Sequence, residues 1–329
     1  MAAITPLSQE ALAELLRRYD VGPVEAHWPA GGGAENSNFF VRVRCSDSPA
    51  SESQDLVLTI LEQPPTAGAL LVPLLDSCDR AGLPVAPIVR NRCGEAFDQI
   101  DGKPVLLAPR LLGRHVVHPT LRQCEAVGRF LARFHCLSPS FASRAPAHPR
   151  DSAWLRDRLA QLHHRVSYAD SSLLQEALAA VSSGLGRQDV AQLPRGIIHG
   201  DLFRDNVLFT DRGLTGVLDF HHASAGYLLY DLAVVANDWC SDSSGMLDRD
   251  RVSALVRAYH RIRPLTAPEL WFFSFFGLYA ALAFWLSRLF TATRVVTRAG
   301  QVVKNPDEFR RIVRQHLAHF LYLDERQLD

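Results

Sequence analysis

The sequence predicts an α+β protein of two lobes, a strand-rich first lobe over residues 1–108 and a helical second lobe over 109–329. Three observations predict it. Before residue 108 the apolar residues come in short β-forming runs: Phe39-Phe40-Val41-Arg42-Val43, Leu56-Val57-Leu58-Thr59-Ile60-Leu61 and Val105-Leu106-Leu107-Ala108. After residue 120 they recur at helical spacing, as in Val127, Phe130, Leu131 and Phe134. Residues 270–287 carry no charge, which suits the one buried central helix that a large helical lobe needs.

The elements follow in order. Residues 6–19 read as a helix capped by Ser8, with Leu12, Leu15, Leu16 and Tyr19 on one face. Trp28 to Arg44 reads as a hairpin. Its turn holds Gly31-Gly32-Gly33, then Asn36 and Asn38, and backbone N–H groups in such a loop make an anion cradle. Gly33, Asn36 and Asn38 are therefore expected at a phosphate. The polar run 46–54 is a loop before the strand that carries Thr59. Residues 67–82 form a helix ending at Gly82, a strand is expected near Ile88, and Asp101-Gly102-Lys103 is a turn. Helices are expected over 120–136, 152–166, 170–185, 230–239 and 306–322. The last has Asn305-Pro306 as cap and starter and packs through Phe309, Ile312, Leu317 and Phe320.

Composition narrows the class. A chain of 329 residues, 47% hydrophobic and 21% charged, is long enough for two cores. Its formal net charge is +0 without a basic stripe, which argues against a nucleic-acid binder. The six cysteines form no C-x-x-C, so free thiols in a reducing cytoplasm are expected. The start MAAITPLSQEALAELL lacks a basic stretch followed by an apolar core, so no signal peptide is expected. The uncharged run 270–287 is at the lower limit for a membrane span, and Ser274, Gly277, Tyr279 and Ser287 dilute it, so a core helix is the expectation.

The chemistry concentrates in IIHGDLFRDNVLFTDRGLTGVLD, residues 197–219. β-formers flank His199-Gly200-Asp201, Asn206 and Asp219, so the stretch reads as strand, polar loop, strand, turn, strand. Three polar side chains then meet at strand ends. Phosphoryl transfer needs a carboxylate beside the acceptor hydroxyl and oxygen ligands for Mg²⁺ on the phosphates. There is no G-x-x-x-x-G-K-[ST], which excludes a P-loop kinase.

Protein kinases carry H-R-D-x-x-x-x-N and then D-F-G. Here His199-Gly200-Asp201 precedes Asn206 at the same step, and Asp219-Phe220-His221 keeps the Asp and Phe. The H-G-D form resembles the aminoglycoside phosphotransferase and choline kinase branch of the protein-kinase-like fold. The run from His199 to Phe209, Tyr230-Asp231-Leu232-Ala233, Asn237-Asp238-Trp239-Cys240, Glu35 to Phe40 and Phe284 to Leu289 closely resemble the bacterial homoserine kinases of that branch. That family usually has Ala at Gly200 and an aromatic near His221.

The resemblance implies a two-lobed kinase-like fold, ATP and Mg²⁺ as cofactors, and phosphorylation of L-homoserine on the threonine pathway. It implies Asp201 as catalytic base, with Asn206 and Asp219 as metal ligands. Arg204 is expected to meet the γ-phosphate or the substrate carboxylate, since a guanidinium suits both. Thr59 stands where kinase-like folds usually carry a phosphate-binding Lys, and the homoserine kinases share that Thr. Adenine is expected at the backbone from Leu107 to Arg110, leading into the hinge. His135 is expected to pack under the catalytic loop and Asp231 to support it. Asp205, Tyr230, Asn237, Asp238, Trp239 and Arg288 are the expected acceptor-site residues. Two other readings stay open. Tyr227, Tyr230 and Trp239 as an aromatic cage would suit choline or another amino alcohol. The missing Lys would suit a nucleotide-binding protein without catalysis.

Overall fold

The computed structural model describes residues 5–30, 36–44, 53–62, 68–137, 141, 143–162, 164–293 and 304–323. They form two units, one ending at Leu112 and the other beginning at Gly113.

The first unit is built on five antiparallel strands: β1 (Val24–Pro29), β2 (Ser37–Arg44), β3 (Ser53–Ile60), β4 (Asp98–Ile100) and β5 (Lys103–Pro109), ordered β1-β2-β3-β5-β4. β2 alternates strictly, with Phe39, Val41 and Val43 buried and Arg42 and Arg44 exposed, because successive side chains leave opposite faces of a strand. Its inward residues meet Leu56, Leu58 and Ile60 of β3 and Leu12, Leu15 and Leu16 of α1 (Gln9–Leu16). α1 is shorter than the 6–19 expected, and Ser8 Oγ caps it by accepting from Ala11 N at 3.1 Å. α2 (Gly68–Arg80) follows. No strand forms near Ile88, a correction to the sequence reading. That segment is instead tied down by Val89 N donating to Leu107 O at 2.8 Å and by a bridge from Tyr19 to Asn91. Asp101 and Gly102, at φ 50 and 75, make the expected turn between β4 and β5.

The second unit is mostly helical: α3 (Leu121–Leu137), α4 (Ser152–Leu162), α5 (Tyr168–Leu185), α6 (Gln188–Ala191), α7 (Leu228–Trp239), α8 (Arg249–His260), α9 (Ala267–Ala292) and α10 (Asp307–Ala318). Four short strands, β6 (Arg195–Ile198), β7 (Val207–Thr210), β8 (Gly213–Val217) and β9 (Ser224–Tyr227), pair as two antiparallel ribbons, β6 with β9 and β7 with β8. α9 is the centre. A capping box joins Thr266 and Glu269 at its start, and it packs on α4, α5, α7 and α10. Its most apolar 18-residue window is 83% buried, with Phe273, Phe276 and Trp285 fully enclosed. α10 starts where Asn305 Oδ1 accepts from Asp307 N at 2.9 Å. Phe309 and Ile312 are buried as expected, but Phe320 is 61% exposed because the helix has already ended at Ala318. α3 and α8 press together at Gly128, where a Cβ would lie 2.4 Å from Leu255 O.

Candidate active site

β6 delivers the chain into the loop that begins at His199. His199 is fully buried, and its ring is set by two bonds: Asp201 N donates to Nδ1 at 3.3 Å, and Nε2 faces Leu218 O at 2.9 Å. With Nδ1 accepting, the proton sits on Nε2 and the imidazole is neutral, as burial also favours by pushing its pKa down. One ring thereby fixes the distance between the residue of Asp201 and the neighbour of Asp219. Below it lies Asp231 of α7, which is fully buried. Its carboxylate accepts from His199 N at 2.7 Å and Gly200 N at 2.9 Å and meets His135 Nε2 at 3.2 Å. Burial alone would push Asp231 up, but these bonds hold it below the usual carboxylate range. His135, on α3, completes the support through Tyr259 Oη at 2.6 Å. Gly200 turns at φ +76, a left-handed conformation that suits glycine.

Asp201, Asp219 and His222 converge, with one ligand atom from each lying within 4.8 Å of the others. Asp219 itself sits at φ 61, a sparsely populated conformation for a side chain with a Cβ. Asn206 Nδ2 donates to Asp201 O at 2.8 Å and Asp201 Oδ2 at 3.1 Å, which leaves its Oδ1 without a partner among the described residues. Burial pushes Asp201 up to about 6; the charges of His222 and Arg150 oppose this and that of Asp219 adds to it. The donor set fits Mg²⁺ through oxygens of Asp219 and Asn206, the hard ligands this cation prefers.

Residues 28–265, most of the chain, match the phosphotransferase enzyme family. The chain belongs to that family. A homoserine kinase of Pseudomonas aeruginosa is 39% identical over 312 residues, covering 94% of each chain. A homoserine kinase of Burkholderia thailandensis is 36% identical over 333 residues, covering 97% of each. Among solved structures, a spectinomycin phosphotransferase with ADP and spectinomycin superposes with a TM-score of 0.68 at 12% identity, covering 94% of this chain and 95% of that one. An amicoumacin kinase with AMP-PNP and Ca²⁺ superposes with a TM-score of 0.66 at 16% identity, covering 94% and 92%.

The phosphotransferase arranges its other expected site residues unevenly. Arg204 is committed to structure rather than open to a ligand: its Nε donates to Asp238 Oδ2 at 3.1 Å, its Nη1 to Val117 O at 2.7 Å, and its backbone N to Asp238 Oδ2 at 2.7 Å. Asp238 is buried and pairs with that arginine. Asn237 Nδ2 donates to Gly277 O at 2.8 Å and its Oδ1 meets His316 Nε2 at 2.8 Å, which ties α7 to α9 and α10. Trp239 is wholly buried, and Nε1 donates to Leu202 O at 3.2 Å, so it braces the loop from beneath. No aromatic cage results, since Tyr227 packs on Phe276 and already carries Arg195, 4.3 Å from its ring centroid. Arg288 bonds Glu308 Oε2 at 2.6 Å and stacks on Phe309. Glu308 also lies 3.5 Å from Arg204, bridging the two guanidiniums. Asp205 is exposed and paired with Lys304 at 2.5 Å. Tyr230 is buried, with its hydroxyl facing the Arg150 side chain and making no hydrogen bond of ordinary geometry among the described residues.

In the first unit, Thr59 Oγ1 donates to Asn38 Oδ1 at 2.7 Å across β2 and β3, so those two expected nucleotide residues stand together. Asn36 Oδ1 accepts from Glu62 N at 3.3 Å. Gly33 lies outside the described residues. At the expected adenine segment, Leu107 O accepts from Val89 N at 2.8 Å, and Arg110 N donates to Asp55 O at 3.0 Å. The Arg110 side chain pairs with Asp55 at 3.0 Å and covers Phe40.

Sequence reasoning missed Arg150, His222, Lys304 and Glu308. His222 stands three residues past Asp219, and a scan for His, Asp and Glu near the motif would have found it. The other three come from distant stretches and carry no local signal.

Proposed function

We propose that this phosphotransferase is a homoserine kinase, which moves the γ-phosphoryl group of ATP to the hydroxyl of L-homoserine and yields O-phospho-L-homoserine for threonine synthesis. The observation that carries the reading is likeness to homoserine kinases of two genera over 94–97% of the chain. The site supports it.

Asp201 orients the acceptor hydroxyl and takes its proton as the oxygen bonds to the γ-phosphorus and the bridging oxygen leaves with ADP. A base is most effective when its pKa lies near working pH, and burial has moved Asp201 in that direction. His199 and Asp231 hold its loop rigid, so the carboxylate needs little reorganisation. Asn206 and Asp219 present oxygens for Mg²⁺, which when bound would neutralise charge on the phosphates. Asn36, Asn38 and Thr59 are assigned to the nucleotide, and the first unit to its binding. The described cysteines are all free, which fits a cytoplasmic enzyme.

ADP release with homoserine, serine and choline at equal concentration tests the acceptor. Homoserine should lead. Serine, one methylene shorter, should fall far behind, and choline should stay near background. Choline outrunning homoserine would overturn the acceptor and leave the kinase reading intact.

A further inference from the structure

The two arginines expected at the substrates are already matched, Arg204 by Asp238 and Arg288 by Glu308. Arg150 is different. Its Nη1 reaches a backbone carbonyl, Gly200 O, at 3.4 Å, and its guanidinium lies 4.2 Å from the ring centroid of Phe284. Among the described residues no carboxylate is within ion-pair range of it. Its own carbonyl is held by the Tyr279 hydroxyl at 2.5 Å. Gly200 immediately precedes Asp201, so this unpaired cation stands beside the catalytic base.

Tyr230 supplies a second, independent observation. It is 1% exposed, and its hydroxyl, which faces the Arg150 side chain, makes no hydrogen bond of ordinary geometry among the described residues. Its ring packs on His148 at 4.5 Å and on Tyr279 at 4.9 Å. His148 supplies a third. Nδ1 meets Ser224 Oγ at 3.3 Å, while Nε2 is buried without a partner. If the Ser224 hydroxyl donates to Nδ1, Nε2 carries the proton and is a donor. The His148 and Tyr230 rings are in contact, and the charge of Arg150 together with its approach to the hydroxyl offsets part of the upward push of burial on Tyr230, while that charge adds to the downward push on His148. Buried donors without acceptors are rare and costly. A guanidinium beside a buried hydroxyl and a buried imidazole nitrogen that can both donate suits an anion with two oxygens.

We propose that Arg150, the Tyr230 hydroxyl and His148 Nε2 bind the carboxylate of the amino-acid acceptor. The proposal rests on the homoserine kinase reading and deepens it. A carboxylate held there leaves the substrate's two-carbon arm to carry the hydroxyl toward Asp201, and an amino alcohol without the carboxylate leaves Arg150 unanswered.

The test pairs homoserine with 3-aminopropan-1-ol, which is homoserine without its carboxylate. Steady-state kinetics with each acceptor are measured for the wild type, Arg150→Met, Arg150→Lys and Tyr230→Phe. The ratio of kcat/KM for homoserine over 3-aminopropan-1-ol should fall about 10- to 10²-fold in Arg150→Met, the range for losing a charged hydrogen bond. The loss should lie in KM more than in kcat, because the carboxylate does not react. Arg150→Lys should recover part of the ratio. Tyr230→Phe removes the hydroxyl, keeps the ring, and should lower the ratio without lowering the denaturation midpoint. Equal losses for both acceptors in Arg150→Met and an unchanged ratio in Tyr230→Phe would overturn the proposal and make Arg150 a brace for Gly200. A wild type with no preference between the acceptors would overturn it while leaving the kinase reading standing. A wild type inactive on both would remove the homoserine reading and this proposal with it.

Discussion

Asp201→Asn should cost activity and raise stability in the same protein. The substitution keeps the shape, and an amide can still meet Asn206 Nδ2 through its oxygen, so the bond at 3.1 Å survives. What disappears is the proton acceptor and a charge that burial opposes. Turnover should fall about 10²- to 10⁴-fold, the range for a positioned general base. The stability effect follows from the pKa, which rises from 3.8 in the unfolded chain to about 6 in the fold. Between those values the native state binds more protons than the unfolded state, so this group's contribution to stability falls as pH rises through the window. Above about pH 6 the full cost is present; below about pH 4 it is gone. Two units correspond to roughly 3 kcal/mol. Because Asp201 keeps some contact with solvent, about 1–2 kcal/mol is the expected gain for the Asn variant near pH 7.5. Urea unfolding of wild type and variant at about pH 4, 6 and 7.5, without nucleotide or metal, reads this as a midpoint difference that grows with pH. ADP release reads the activity. A variant less stable than wild type near pH 7.5, or a difference independent of pH, would refute the reasoning.

Three further outcomes are expected. Asn206→Ala and Asp219→Ala should raise the Mg²⁺ concentration needed for half-maximal rate as well as lower the rate, because each removes an oxygen ligand; equal activity with and without divalent metal would refute this. Asp231→Ala strands two backbone N–H groups and His135, so the denaturation midpoint should drop by the equivalent of about 3 kcal/mol or more, with activity lost alongside. Thr59→Ala loses one hydrogen bond to Asn38, worth about 1 kcal/mol, and its rate loss should be far smaller than that of Asp201→Asn in the same assay.

The stretch from His199 to Asp219 was legible because its pattern is local. His199, Asp201, Asn206 and Asp219 sit at fixed spacings between β-formers, and the strands form as that pattern implies. The acceptor side was less legible. Asn237, Asp238 and Trp239 are near the site in sequence, yet all three face inward, because α7 is buried on every side and its polar groups are consumed by Gly277, His316, Arg204 and Leu202. Arg150 was invisible, since only tertiary packing brings its loop to Gly200. β9 was also missed: Ser-Ala-Gly-Tyr is a poor strand by propensity and forms because β6 needs an edge partner. The strand expected near Ile88 failed for the opposite reason, as a β-forming residue found no ladder to join.

The central position of α9 has a consequence for biosynthesis. The catalytic loop leaves the ribosome some sixty residues before Ala267–Ala292 does, and Phe203 of that loop rests against Phe284 of that helix. Until α9 is made, α4, α5 and α7 have no common surface to close on. The nascent second unit must therefore expose apolar faces through much of its synthesis, which makes chain termination before residue 267 a route to aggregation rather than to a smaller working enzyme.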